Sequence, residues 1–133
     1  MHLDPVHART LLSRVDLGRV RSGRAVGLRD GALLALVAAG LNTAEIATLH
    51  ATAIQMHDNR VMVSVERHGI PWFTILPTDL GARLLVWITE SRLWALPETI
   101  FHGPRGPLTQ AGVCKVLRRY RDHRPAHPLR RAA

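Results

Sequence analysis

Apolar residues are spread very unevenly along the chain, and their spacing lays out its elements. From Ala32 to Ala39 every residue is apolar, so a helix here is apolar around nearly its whole circumference and belongs inside a core. The spacing places Asp30 in the first turn of that helix, where a carboxylate suits the dipole. Gly40 can leave the helix in the left-handed conformation that glycine takes without penalty. A short second helix then begins at once, with Asn42 as N-cap and Glu45 three residues on, the spacing of a capping box.

Downstream the period changes from helical to alternating. Thr52–Met56 and Val61–Val65 flank His57-Asp58-Asn59-Arg60, and a turn at Arg67-His68-Gly69 leads into Trp72–Leu76, which Pro77 stops. Three strands of a small antiparallel sheet are predicted. Thr78 or Asp79 next caps a helix to about Ser91, with Leu80, Leu84, Trp87 and Ile88 on one face. Trp87 and Trp94 are expected in the core. A last helix follows Thr109 as its N-cap, with Val113, Val116, Leu117 and Tyr120 on one side and Lys115, Arg118 and Arg119 on another. Cys114 lies among the apolar positions and is expected to be a buried, inert thiol. Upstream, Pro5–Val15 reads as a helix with Asp4 at its start and Val6, Leu11, Leu12 and Val15 loosely on one side, and Asp16–Arg24 reads as a basic, glycine-dotted linker. The expected class is α+β, mostly helical, with three parts: a basic helix and linker over 1–27, a core over 28–121 and a basic tail over 122–133.

The stretch RDGALLALVAAGLNTAEIATL resembles the opening of the catalytic domain of tyrosine recombinases, the phage-integrase family, in which an Arg-Asp pair, an apolar helix and a "TGLRxSEL" turn follow one another. Ile100-Phe101-His102-Gly103 with Gly106-Pro107-Leu108-Thr109 is similar to the family's "LFPSxxGxPLT" segment, and His127-Pro-Leu-Arg130 to its "HxLR" motif. The resemblance runs from about Leu28 to Arg130. It implies an integrase-like fold with a three-stranded sheet, and a reaction in which a tyrosine attacks a phosphodiester while two arginines, a lysine and histidines manage charge and protons.

Charge adds a partner. Eighteen Lys plus Arg against ten Asp plus Glu leave +8, with a single lysine, Lys115. The basic residues gather at the ends: Arg9, Arg14, Arg19, Arg21, Arg24 and Arg29, then Lys115, Arg118, Arg119, Arg121, Arg124, Arg130 and Arg131. Guanidinium matches phosphate geometry, so double-stranded DNA is the first partner to consider, with Arg67, Lys115, Arg118, Arg119, Arg121 and Arg130 as candidate contacts. Arginine-richness that only reflects coding bias is the competing explanation. No apolar run reaches the length of a spanning helix and the start lacks the apolar stretch of a signal peptide, so no membrane association and a cytoplasmic address are expected. His123 and His127 are four apart but Pro125 lies between them, so neither a metal nor another cofactor is expected.

The family's chemical positions are altered here. Asn42 occupies the place of the first arginine, and a neutral amide there costs about a hundred- to a thousandfold in rate. Asn42 and Glu45 also suit plain helix capping. Arg67 falls on the lysine's place, with His68 next to it if the register slips by one; an arginine binds phosphate but holds its proton too tightly for a general acid, and both residues also suit a solvated turn. His127 and Arg130 match the motif's histidine and second arginine. The family's tyrosine follows that motif, whereas Tyr120 precedes it and the sequence stops at Ala133. The expectation is a DNA-binding, recombinase-like protein of DNA integration that does not cut DNA. A module that pairs with an intact recombinase or with itself, and a fragment without function, are the alternatives.

Overall fold

The computed structural model describes residues 3–14, 23–91 and 99–122. The described residues form five helices, α1 (Pro5–Arg14), α2 (Arg24–Ala38), α3 (Thr43–Ala47), α4 (Thr78–Ser91) and α5 (Gln110–Arg121), and an antiparallel sheet of β1 (Ile54–His57), β2 (Arg60–Arg67) and β3 (Ile70–Ile75) in the order β1-β2-β3. A second, two-residue pair, β4 (His102–Gly103) with β5 (Gly106–Pro107), precedes α5. The class is α+β. Among the described residues no helix is long and apolar enough to cross a membrane.

The apolar helix takes the central place that its composition requires. Residues Ala32 to Leu36 of α2 are fully buried, and burying each leucine stabilises the fold by about 1.5–3 kcal/mol. Helix α1 lies along one side of α2 through Ala8, Leu11 and Leu12, and α4 along another through Leu80, Leu84, Trp87 and Ile88. Helix α4 also crosses β2 at Gly81, where an added Cβ would stand 3.1 Å from Val61 Cγ2. Trp87 fills the core and donates its indole N–H to the carbonyl of Ile100 at 2.8 Å.

Both hairpins turn through two residues with positive φ, Asp58 and Asn59 in the first and His68 and Gly69 in the second. This is the loop type whose twist suits paired strands. The pairings His57↔Arg60 and Arg67↔Ile70 set the register, so Val61, Val63 and Val65 face inward together with Ile54, Trp72 and Leu76. Met62, Phe73 and Ile75 occupy the outer face. Pro71 is tolerated because β3 is an edge strand.

Several local expectations need correction. Helix α2 begins at Arg24 rather than near Leu28, so Asp30 is mid-helix and buried, and no acidic residue occupies the first turn. Arg24, Ala25 and Val26 are ordinary helix formers that the preceding glycines obscured. Val6 is 77 % exposed, because Ala8 takes the inward position on α1. Residues 51–53 form a 3-10 turn ahead of β1. Cys114 is half-buried rather than enclosed. Trp94, His127 and Arg130 lie outside the described residues.

Candidate nucleic-acid interface

Helix α5 starts where Thr109 Oγ1 accepts the N–H of Gly112 at 3.1 Å. Its apolar side, Val113, Val116, Leu117 and Tyr120, is buried, and Lys115, Arg118 and Arg119 are exposed. These three fall at i, i+3 and i+4 and so form one stripe. Among the described residues none of the three has a carboxylate within ion-pair distance, whereas Arg9 pairs with Asp79 at 2.9 Å, Arg24 with Glu90 at 3.6 Å and Arg121 with its neighbour Asp122 at 3.0 Å.

A buried polar network ties this helix to the core. Arg29 donates through Nε and Nη2 to Asp30 Oδ1 at 2.9 and 2.8 Å, and through Nη1 to the carbonyl of His102 at 3.0 Å. Asp30 Oδ2 accepts the Tyr120 hydroxyl at 2.6 Å. Arg29 and Asp30 are both buried, so each requires the other: a lone charge there would carry the full desolvation cost. Burial, then the adjacent Asp30 carboxylate, pushes the Tyr120 phenol up from its ordinary value. The sequence reading places Asp30 in a first helical turn and Arg29 among the basic residues at the start of the chain, and nothing local points to Tyr120, ninety residues away.

The structure brings three of the sequence's candidate residues, Asn42, Glu45 and Arg67, together in a second cluster. Asn42 Oδ1 accepts the N–H of Glu45 at 2.8 Å, and Glu45 Oε1 accepts the N–H of Asn42 at 2.9 Å, which completes the capping box. Across the gap between helix and hairpin, Arg67 donates through Nε to Glu45 Oε2 and through Nη2 to Glu45 Oε1, both at 2.8 Å. Nη2 also donates to the carbonyl of Gly40 at 2.8 Å, a carbonyl that Gly40 presents by leaving α2 with φ near 103°. The guanidinium lies 3.7 Å from the Trp72 ring centre, within cation–π range. Hydrogen bonding from Arg67 holds the Glu45 carboxyl below its usual range, against the opposing effect of burial and with help from the Asn42 N–H; Glu45 raises Arg67 in turn. His68 is exposed at the hairpin tip.

Beside Asn42 the surface dips into a shallow hollow of about 170 Å³, lined by Leu3, Val37, Leu41 and Leu117 among others. Apart from Asn42 and Thr43 that lining is apolar, poorly suited to a phosphate. Sequence reasoning missed Trp72 as the platform for Arg67; its place three residues after the His-Gly turn was the available signal. No protein-family model and no curated sequence matches the chain.

Proposed function

We propose that the chain is a DNA-binding protein of the tyrosine-recombinase type that serves DNA recombination or integration by holding duplex rather than cutting it. The observation that carries the binding is the stripe of Lys115, Arg118 and Arg119, exposed, clustered and without carboxylate partners among the described residues. Such a cluster gains free energy by displacing counterions from phosphates. The order of elements supports the family reading: apolar helix, glycine turn, capped short helix, three-stranded sheet, helix, Pro-Leu-Thr turn and basic helix.

The site residues favour holding over cutting. Tyr120, the one tyrosine of the sequence, is buried with its hydroxyl committed to Asp30, and its raised pKa disfavours the phenolate a nucleophile needs. Asn42 and Glu45 cap a helix, and Arg67 points at Glu45. Incubation with a nicked suicide duplex tests both halves. The protein should retard the duplex on a native gel and leave no covalent adduct after denaturation. An adduct would overturn the non-cutting reading, and absence of retardation at low salt would overturn the binding.

A second reading has its own observation. On the outer face of the sheet Phe73 is 61 % and Ile75 41 % exposed, with Met62 paired across from Ile75. An apolar group of this kind marks interaction surfaces, which fits pairing with an intact recombinase or a second copy. Light scattering after size exclusion distinguishes them: the pairing reading predicts an assembly that Phe73→Ser dissolves, and a monomer at all concentrations removes self-association.

A further inference from the structure

The exposed side of α5 changes character along its length. Its first turn offers Gln110, Ala111 and Gly112, and its cations come afterwards, at Lys115, Arg118 and Arg119. In a helix-turn-helix the recognition helix reads base edges in the major groove with its N-terminal residues. Here those residues have little to read with. Gln110 donates its side-chain amide to Thr43 Oγ1 at 3.1 Å, whereas recognition of adenine requires the amide nitrogen and oxygen together at the base edge. Ala111 has no polar side-chain group, and the Gly112 N–H is given to Thr109 Oγ1.

Across the Gln110–Thr43 contact Asn42 Oδ1 and the Glu45 carboxylate are committed as well. Asn42 and Glu45 bond each other, and Glu45 also holds Arg67. The groups left to a ligand are three positive charges within little more than one turn. Like charges so placed repel one another, and a row of phosphates neutralises all three together, whereas a guanine edge takes a single lysine or arginine and brings no charge to it. Contacts to phosphate carry no sequence information.

We infer that α5 grips the phosphate backbone and does not select DNA sequence, an inference that rests on the DNA-binding reading above. Its test is equilibrium binding of the full chain to three labelled duplexes of unrelated sequence, one A·T-rich, one G·C-rich and one mixed, between about 50 and about 200 mM salt. Kd should agree among the three within about threefold, where sequence-reading proteins differ by orders of magnitude. The variant K115A/R118A/R119A, its fold checked by circular dichroism, should flatten the slope of log K against log salt by about 2.7, at about 0.9 for each phosphate that is no longer neutralised. One duplex bound more than about tenfold more tightly than the others would overturn this inference and leave DNA binding standing. An unchanged slope in the variant would overturn the assignment to α5. No binding to any duplex at the lowest salt would remove the DNA-binding reading, and this inference with it.

Discussion

Two clusters of polar side chains in this protein, one built around the single cation Arg67 and one of three cations, have opposite fates. At the α2–α3 corner the Arg67 guanidinium is held by Glu45, the Gly40 carbonyl and the Trp72 ring. On α5, Lys115, Arg118 and Arg119 face solvent. Residue type does not separate them; what separates them is a carboxylate within reach, supplied at the corner by a capping box that presents Glu45 and, among the described residues, not supplied to Lys115, Arg118 or Arg119. The first cluster holds the hairpin to the helices, and the second is the one to which the proposed function gives an external anion. Stability and binding should therefore respond to opposite sets of substitutions.

The largest effect should come from the buried network beneath α5. Asp30→Ala strands the Arg29 guanidinium without its partner and should cost about 3–5 kcal/mol, a fall in Tm of at least about 10 °C, read by calorimetry. If Tm held, the pair would not be the anchor of this helix. Arg67→Ala should cost less, about 1–3 kcal/mol, because its site is partly open to water and the capping box survives. Chemical denaturation would show it as a shift in midpoint at constant m.

Acid sharpens the same contrast. Glu45 has a folded pKa below its unfolded value, so the stability it adds is complete above its ordinary pKa of about 4.3 and is lost as pH falls below that through the lowered folded value. Wild type should lose stability in that acid window more steeply than Glu45→Gln, as thermal melts across the range would show. Equal slopes would mean that the Arg67 contact contributes little. Tyr120 acts at the other end: its raised pKa means that its contribution is intact below about 10 and fades as pH rises further. The smallest change in stability belongs to K115A/R118A/R119A, within about 1 kcal/mol, since exposed substitutions away from buried contacts rarely exceed a few tenths each. A large loss would show that the stripe supports the fold.

How legible these clusters were in the sequence depended on range. The capping box, the His-Gly hairpin turn and the buried faces of α4 and α5 are set by residues three or four apart or adjacent, and spacing alone reveals them. The Glu45–Arg67 pair and the Asp30–Tyr120 bond join positions 22 and 90 residues apart, and nothing local marks which arginine or hydroxyl will meet which carboxylate. Boundaries failed where propensity is weak: α2 starts inside a glycine-dotted stretch, and Val6 yielded its inward place to Ala8. The basic side of α5 is legible as a face. That Arg67 turns back onto Glu45 and Trp72 emerged only with the fold.

The division between the two clusters is tested most directly by measuring duplex affinity at low salt for Arg67→Ala and for K115A/R118A/R119A side by side. The α5 variant should lose most of the binding while its melt stays near wild type, and Arg67→Ala should keep its affinity while melting earlier. If Arg67→Ala abolished binding and the α5 variant bound normally, the assignment of the two clusters would be reversed and the account would fail.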